Sequence, residues 1–425
     1  MKKNILIIGK GAREHALGWK LRQSEHIGDI YFAPGNAGTS NIGTNISVFS
    51  TDFKGLVSFV KEKNVDLTIV GSEELLEKGI VDYFQKKKLL IFGPTKESAQ
   101  IETSKVWASQ FMHRYAIPEA ESYSFTSYEK AIEFSKKESR LFVVKASGLA
   151  SGKGVIVPKS KDEELKAIEE VMVQKKFGDA GSNVVLQELL QGVEISLLAF
   201  CDGKNVVVML PAQDHKRIFD FDQGPNTGGM GTYTPLPFVN EALLTSLRQT
   251  VLQPFIYGMY KEGNPYKGVI FAGIMLTKTG PKVLEFNARF GDPETESLML
   301  MLESDLYPIL EACVHGTLEE SLVRFRSGSA CCVVLASSGY PGPTISGEII
   351  HGLESIYDPD VKLFYAGAVE TDGEIVVDGG RVMVVAGYGE NLKEALQKVY
   401  GSIGEKGVHF SGMQYRRDIA WQSLK

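Results

Sequence analysis

The stretch that decides the fold is Val283-Leu284-Glu285-Phe286-Asn287-Ala288-Arg289-Phe290-Gly291-Asp292-Pro293-Glu294-Thr295-Glu296. Residues 282–286 favour a β-strand, because they are mostly apolar and follow a Gly-Pro turn at 280–281. Side chains alternate along a strand, so we expect Glu285 and Asn287 on one face and Phe286 on the other. A carboxylate and an amide oxygen side by side are typical Mg²⁺ ligands. The pattern therefore predicts a metal site at Glu285 and Asn287.

The second half of this stretch adds a cation and a helix start. Arg289 follows on the same face of the predicted strand, Asp292 suits a helix N-cap, and Pro293 suits the first turn of a helix running to about residue 315. Such an arrangement can hold phosphate and metal together. An alternative, a strand edge whose charges face water, remains open for Glu285 taken alone.

Length, charge and cysteine content restrict the class of protein. A chain of 425 residues favours about three domains, and its net charge of −6 argues weakly against a nucleic-acid binder. The four cysteines form no CxxC pair, which favours a reducing compartment and no zinc site. No apolar run approaches the length of a membrane span. We therefore predict a soluble cytoplasmic protein with no nucleic-acid or membrane partner.

The N-terminal part alternates strands with helices, which predicts a parallel, Rossmann-like sheet. The expected strands are 4–8, 30–33, 65–70 and 89–92, and the expected helices are 12–22, 53–63 and 73–87. The ligand crevice should lie at the strand ends, where 9–11, 34–38 and 71–74 fall. Glu14 replaces the third glycine of GxGxxG, which disfavours a nicotinamide cofactor, and a tight turn that binds nothing remains open for 9–11.

A glycine-rich loop in the middle of the chain is a candidate phosphate cover. A helix of roughly 98–115 carries Lys105, and a strand at 141–145 ends on Lys145 before the loop at 146–154. Lys145 can therefore be aimed at a phosphate as a point charge. The loop lacks the GxxxxGK[ST] pattern of a P-loop, and a flexible hairpin with solvated lysines is the alternative.

The segments that follow are less regular. A turn at 188–194 could offer backbone groups to an adenine edge and Glu194 to a ribose hydroxyl, although an ordinary turn acid is favoured for Glu194 alone. The long irregular stretch at 213–231 is typical of a functional loop. His215 could act there as a base or in a structural hydrogen bond. A helix at 240–261 and a strand at 268–276 follow, and 329–425 suggests a small α/β cap without a catalytic cluster.

Taken together, these residues resemble the ATP-grasp ligases and, among them, the phosphoribosylamine–glycine ligase family. The matching segments are 9–16 (GKGAREHA), 33–38 (APGNAG), 92–95 (FGPT), 148–155 (GLASGKGV), 213–217 (QDHKR), 224–231 (GPNTGGMG) and 285–295 (EFNARFGDPET). The resemblance implies an α/β protein with an N-terminal Rossmann-like substrate domain (1–105), an ATP-grasp domain of two subdomains (106–325, with a lid at about 122–190) and a small C-terminal domain (326–425).

The activity implied by the resemblance is ATP-dependent ligation of glycine to 5-phosphoribosylamine. It would give glycinamide ribonucleotide, ADP and phosphate through glycyl phosphate, as the second step of de novo purine biosynthesis. ATP and Mg²⁺ or Mn²⁺ are the implied cofactors, and a monomer is the implied state. The runner-up is a related ligase acting on a formylated or carboxylated purine precursor. A regulatory module without turnover is disfavoured, because the metal pair, Lys145 and Arg289 are intact.

The resemblance also assigns roles to individual residues. The implied catalytic residues are Arg289, Asp292 and Asp214. The implied nucleotide-binding residues are Lys105, Lys145, Gly152, Lys153, Gly154, Glu188, Leu190, Glu194 and Phe286. The implied substrate-binding residues are Gly9, Gly11, Arg13, Glu14, Pro34, Gly35, Asn36, Gly38, Glu73, Lys216, Arg217, Asn226 and Gly229, and the implied metal ligands are Glu285 and Asn287. Three positions depart from the family pattern, namely Ser72, Ser147 and Glu296.

Overall fold

The chain opens with a parallel sheet whose strands alternate with helices. The computed structural model describes residues 2–148 and 154–424. The first strands are β1 (Lys3–Gly9), β2 (Ile27–Pro34), β3 (Thr44–Asn45), β4 (Leu67–Val70) and β5 (Ile91–Phe92), paired in parallel in the order β3-β2-β1-β4-β5. The helices between them are α1 (Ala12–Arg22), α2 (Phe53–Glu62), α3 (Glu73–Glu77) and α4 (Ile80–Lys86). The predicted α/β class and the Rossmann-like N-terminal sheet are confirmed.

Two of the predicted helices are broken where the backbone leaves the helical region. The helix expected at 73–87 ends and restarts at Gly79, whose φ of +77° is in the left-handed region. The helix expected at 98–115 becomes α5 (Gln100–Thr103) and α6 (Lys105–Arg114), because Ser104 is extended and caps α6 through Trp107 N–H at 3.3 Å. Lys105 therefore starts a new helix, and its N–H donates to the Ser147 carbonyl at 3.1 Å.

A small antiparallel layer follows the first domain. Its strands are β6 (Ser122–Phe125), β7 (Phe142–Ala146), β8 (Val155–Ile156) and β9 (Val184–Glu188), in the order β6-β9-β7-β8, and its helices are α7 (Tyr128–Lys137) and α8 (Lys161–Met172). Phe142, Val144, Ile168 and Leu186 form a core that belongs to this layer. Its separate core suits a subdomain that moves as a unit.

The central sheet holds the stretch quoted at the outset. The strands of this region are β10 (Val193–Asp202), β11 (Val206–Val208), β12 (Gln213–Asp214), β13 (Arg217–Phe219), β14 (Gln223–Asn226), β15 (Gly231–Thr234), β16 (Lys267–Thr277) and β17 (Gly280–Asn287). β11, β10, β16 and β17 pair in that order and antiparallel. The stretch at 213–231, expected to be irregular, is thus built largely from short strands, with β13 and β14 forming a hairpin.

The helices beside this sheet differ from the predictions at their ends. They are α9 (Glu241–Leu247), α10 (Gln253–Lys261), α11 (Glu294–Met301) and α12 (Leu306–His315). A π-helical turn (Arg248–Leu252) separates the first two, and the helix expected to run from Pro293 to about 315 restarts at Asp305, which caps Tyr307 N–H at 3.0 Å. Asp292 is not an N-cap, because α11 begins at Glu294 and the Asp292 side chain pairs with Arg381.

The C-terminal part adds strands to a sheet that begins in the middle of the chain. Its elements are β18 (Ser329–Ala336), β19 (Val361–Tyr365), β20 (Ala368–Thr371), β21 (Glu374–Val377), β22 (Arg381–Gly389) and α13 (Leu392–Gly401). The sheet order β12-β15-β18-β22-β19 crosses the proposed boundary at 325/326. Among the helices of the described residues, none is long and apolar enough to span a bilayer.

Candidate active site

A cluster of lysines and carboxylates lies on one face of the central sheet. Glu285 is on β17, and its carboxylate is 4.0 Å from the Lys216 ammonium, which also forms an ion pair with Glu194 on β10. Lys145, at the end of β7, donates to the Leu284 carbonyl at 3.1 Å. The cluster thus joins the small antiparallel layer to the central sheet and brings together residues from distant parts of the chain.

The charges in this cluster change one another's proton affinity. Burial opposes ionisation of Glu285, but Lys216 and the neighbouring lysines outweigh burial and lower its pKa to about 2. Burial of Lys145 dominates over the attraction of Glu285 and lowers its pKa to about 8. For Lys216 the balance is reversed, because Glu194 and Glu285 raise its pKa above the usual lysine value despite burial. The site therefore holds the ionised Glu285 carboxylate beside two lysines whose pKa values are shifted in opposite directions.

The ionised Glu285 and the neighbouring Asn287 fit a divalent metal ion. Both side chains are partly buried and share the face of β17 opposite Phe286, which is in the core against Phe255. Among residues 2–148 and 154–424, no group of three or more His, Cys, Asp or Glu has metal-binding geometry. A donor pair of this kind suits Mg²⁺. This ion keeps several of its waters and is usually bound by one or two protein carboxylates together with substrate phosphates.

Arg289 connects the central sheet to the N-terminal domain. Its guanidinium is 3.2 Å from Glu73 and 3.1 Å from Glu102, and it donates to the Asn287 amide oxygen at 3.3 Å. Glu102 also accepts the Ala288 N–H at 2.6 Å. Burial raises the pKa of Glu102, and the Arg289 charge opposes that effect. Arg289 therefore lies beside the face that carries Glu285 and Asn287, and two carboxylates from before residue 105 hold it there.

The crevice at the end of the N-terminal sheet is filled in a way that the sequence did not predict. Glu14 accepts the Gly11 N–H at 2.7 Å and the Arg13 Nε–H at 2.8 Å. A Cβ on Gly71 would collide with the same carboxylate. The protein's own Glu14 carboxylate therefore occupies the anion position at the Gly11 N–H.

The predicted substrate turn at 34–38 is held mainly by internal hydrogen bonds. The Asn36 side chain donates to the Lys10 carbonyl at 2.8 Å and to the Tyr365 carbonyl at 2.6 Å, and it accepts the Gly38 N–H at 2.9 Å. Asn36 thus links the turn to β1 and to the C-terminal β19. Pro34 is exposed and Gly35 partly exposed, so this side of the turn faces outwards.

Two carboxylates that the resemblance implies to be catalytic, Asp214 and Asp292, lie beside the segment 224–231. Asp214 is partly buried, and its buried Oδ1 has no hydrogen-bond partner within the described chain. Desolvation, followed by the charge of Glu294, raises its pKa well above the usual aspartate range. A Cβ on Gly229, whose φ is +115°, would lie 2.9 Å from both Asp214 carboxylate oxygens. Only glycine can therefore take this conformation so close to the carboxylate.

Asp292, the second of these carboxylates, is held by an arginine of the C-terminal part. Arg381 Nη1 is 3.0 Å from Asp292 Oδ1 and donates to the Asp292 carbonyl at 2.9 Å and the Gly228 carbonyl at 2.8 Å. One guanidinium therefore joins the 224–231 segment to the loop before α11. The C-terminal part, expected to be a cap without a catalytic cluster, thus contributes an arginine to the site from the side.

Several predicted residues are not brought into the cluster by their side chains. Glu188 pairs with Lys282 at 2.8 Å at the edge of the small layer, and Leu190 is partly exposed beside it. Arg217 and Asn226 pair across the β13–β14 hairpin. Gly152 and Lys153 lie outside the described residues, whereas Gly154 accepts the Ala146 N–H at 2.8 Å.

His215 has a structural role in this arrangement. It is buried, its Nδ1 lies 3.0 Å from the Gly231 carbonyl, and the Ala420 N–H donates to its Nε2 at 3.1 Å. Burial lowers its pKa, so the ring is neutral. Of the two alternatives that the sequence left open, the structure favours the hydrogen-bonding one.

Sequence reasoning missed Glu102 and Arg381. Glu102 had no distinguishing local signal, because it lies among the polar residues Gln100, Thr103 and Ser104 at the start of the linking helix. Arg381 had none, because its partners are more than eighty residues away and only the shared sheet brings them together.

Comparison with known proteins gives matches over most of the chain. Residues 3–102 match the phosphoribosylglycinamide synthetase N domain, residues 103–295 its ATP-grasp (A) domain and residues 330–422 its C domain. The chain is 43% identical over 424 residues to the phosphoribosylamine–glycine ligase of Vibrio vulnificus, covering 99% of this chain and 98% of that protein.

A longer relative and a solved structure agree with these matches. The chain is 46% identical over 428 residues to the human trifunctional purine biosynthetic protein adenosine-3, and it spans 42% of that protein's length. The crystal structure of phosphoribosylamine–glycine ligase from Thermotoga maritima matches with a TM-score of 0.86 and 34% identity, covering 98% of this chain and 100% of that one. The chain therefore belongs to the phosphoribosylamine–glycine ligase family and has its ATP-grasp fold.

Proposed function

We propose that this chain ligates glycine to 5-phosphoribosylamine at the expense of ATP and so carries out the glycinamide ribonucleotide step of purine biosynthesis. The observation that carries the proposal is the cluster in which Glu285 lies 4.0 Å from Lys216 and beside Lys145. An ionised carboxylate that cations surround can hold a metal–nucleotide pair without being protonated at neutral pH. ATP with Mg²⁺ or Mn²⁺ is the proposed pair.

The first step activates the glycine carboxylate. A carboxylate does not acylate an amine at neutral pH, so one of its oxygens attacks the γ-phosphorus of ATP, the bond to the β-γ bridging oxygen breaks, and glycyl phosphate and ADP form. Lys145 and Lys216 place positive charge beside the transferring phosphoryl group, with Lys105 and Arg289 nearby. Glu285 and Asn287 would hold a divalent ion, which would supply positive charge against the charge of the phosphates.

The second step forms the amide. The phosphoribosylamine nitrogen attacks the acyl carbon, phosphate leaves, and the nitrogen loses a proton. We assign the proton acceptor to Asp214, because its raised pKa makes it a stronger base than an exposed aspartate. Asp292, the other candidate from the sequence, is neutralised by Arg381 at 3.0 Å and is assigned a positioning role.

The acceptor amine is proposed to enter from the N-terminal side. Glu73 reaches Arg289 from the start of α3, and the turn at 34–38 faces the same crevice edge of the parallel sheet. The opposite wall is assigned to Lys216 and Gly229, which adjoin Glu285 and Asp214. Arg217 and Asn226 remain proposals for substrate binding from the adjoining hairpin. The domain limits given above, a monomeric state and a cytoplasmic location belong to the same proposal.

The test is ADP release measured with each substrate alone and with both together. We expect steady ADP release only when glycine and phosphoribosylamine are both present, and poor replacement of glycine by alanine. Steady release with formate or bicarbonate in place of glycine, at equal enzyme and Mg²⁺, would favour the runner-up ligases instead.

A further inference from the structure

The last residues of the described chain hold the hairpin of the site. We define the brace as residues 416–423 and the site hairpin as residues 217–226. Arg416 has no exposed surface. Its Nε and Nη2 each donate to one carboxylate oxygen of Asp418 at 2.7 Å, and its Nη1 donates to Asp222 in the site hairpin at 2.6 Å. A fully buried arginine is stable only where its charge and donors are satisfied, as they are here.

The brace contacts the site hairpin at several further points. Arg416 also donates to the Arg217 carbonyl at 3.3 Å, and Asp418 accepts the Phe221 N–H at 2.7 Å. Asp220 accepts the Arg417 N–H at 2.8 Å. The first strand of the hairpin and its tip are therefore fixed from one side by a segment that is about two hundred residues away in sequence.

The two ends of the site hairpin carry residues of the proposed active site. Thr227 donates to the Lys216 carbonyl through its N–H at 2.7 Å and its hydroxyl at 2.9 Å, and it accepts the Gly229 N–H at 3.0 Å. Lys216 contacts Glu194 and Glu285, and Gly229 abuts Asp214. A shift of the hairpin would therefore move the Lys216 ammonium away from Glu285.

We infer that the brace positions the active site, with Arg416 as the positioning residue that acts through Asp222 and the site hairpin on Lys216. Arg416 touches no proposed substrate, so its effect must pass through backbone geometry. This inference rests on the proposed function only for its turnover readout. Its structural readouts, hairpin protection and nucleotide affinity, do not depend on which acceptor the enzyme uses.

The test compares Asp222→Asn and Arg416→Lys with Arg417→Gln as a matched control. Asp222 has a φ of +56°, a conformation that asparagine tolerates, so this variant loses charge without local strain. Arg417 adjoins Arg416, but its guanidinium lies over the Tyr415 ring, 5.6 Å from its centre. The measurements are amide exchange of residues 217–226, binding of a non-hydrolysable ATP analogue with Mg²⁺, kcat and KM, and thermal unfolding.

We expect faster exchange of the hairpin amides in both test variants. ATP-analogue affinity and kcat should fall about fivefold in Asp222→Asn, where a charge-assisted hydrogen bond becomes neutral. They should fall at least about tenfold in Arg416→Lys, where the bidentate pair is lost. Arg417→Gln should match the wild type. Wild-type exchange, affinity and kcat in Asp222→Asn would overturn the inference, even if Arg416→Lys unfolds at a lower temperature.

An inactive wild type is distinguishable from a failed brace. If the unaltered protein releases no ADP with glycine and phosphoribosylamine, the proposed function fails. Weaker analogue binding and faster hairpin exchange in the two test variants would still support the brace, and unchanged values would refute it.

Discussion

Replacing Lys145 with methionine should abolish turnover and yet stabilise the fold at neutral pH. Lys145 is 6% exposed, and its Nζ donates to the Leu284 carbonyl at 3.1 Å. Burial dominates over the attraction of Glu285 and lowers its pKa from 10.5 to about 8. The protein thus keeps a charge that would be more stable in the unfolded, hydrated chain, and the phosphate-binding role that we propose for Lys145 would explain why it is there.

The size of the effect follows from linkage. A pKa lowered from 10.5 to about 8 corresponds to a cost of about 3 kcal/mol for keeping the folded lysine charged at pH 7. Losing the hydrogen bond to the Leu284 carbonyl costs about 1 kcal/mol. Methionine has a similar length and no charge, so the variant should be more stable than the wild type by about 2 kcal/mol at pH 7.

The pH dependence has a definite sign. Between the folded pKa of about 8 and the unfolded value of 10.5, the unfolded lysine binds more protons than the folded one. The wild type should therefore become relatively more stable as pH rises through this window, and the advantage of Lys145→Met should shrink. Below pH 8 the full cost of the charged lysine is present.

Denaturant unfolding at pH 7 and pH 10 measures both effects, and Lys166→Met on the exposed surface of α8 is the control. The control should change the free energy of unfolding by less than about 0.5 kcal/mol. Binding of an ATP analogue to Lys145→Met reports the functional loss. A variant less stable than the wild type at pH 7, or an advantage that does not depend on pH, would refute this account of Lys145.

Three further substitutions test other parts of the site. Glu285→Gln should lower ADP release strongly and be partly rescued by raised Mg²⁺, because it removes the ionised metal ligand whose pKa is about 2; unchanged turnover at low Mg²⁺ would contradict the assignment. Glu296→Gln should keep activity and become more stable than the wild type as pH rises above 4.5. The reason is that burial raises the pKa of Glu296 well above that value, and both its oxygens lack partners among the described residues, so ionisation costs the wild type stability. A thermal unfolding difference that is constant with pH would exclude a neutral Glu296. Arg381→Gln should lower kcat about 10- to 100-fold. A double-mutant cycle with Asp292→Asn should be non-additive, because the two paired side chains act as one unit. Additive losses would mean that they act separately.

The strand that carries the proposed metal ligands was predictable because its signal is local. Alternation alone places Glu285 and Asn287 on one face of β17 and Phe286 in the core, as the structure has them. Lys145 was predictable for a similar reason, since it ends a short apolar strand before a glycine-rich loop. The parallel N-terminal sheet followed from alternating strands and helices.

What the sequence could not give depends on contacts between distant residues. The substitution of Glu14 for a glycine was visible, but not that its carboxylate would take the Gly11 N–H in place of a ligand. Arg381 and Arg416 reach the site from the C-terminal part through a sheet that joins β15 to β18, and no local pattern encodes that pairing. The helix breaks at Ser104 and Gly79 each depend on the backbone conformation of one residue within an otherwise helical sequence.

The central claim is that the site activates the glycine carboxylate as an acyl phosphate, and oxygen transfer tests it most directly. The enzyme is supplied with glycine labelled with ¹⁸O in both carboxylate oxygens, together with ATP, Mg²⁺ and phosphoribosylamine, and the released phosphate is analysed by mass spectrometry. Attack by the carboxylate on the γ-phosphate leaves one labelled oxygen in each phosphate when the amide forms. The account predicts one ¹⁸O per phosphate released, in step with ADP. Unlabelled phosphate alongside ADP release would contradict it.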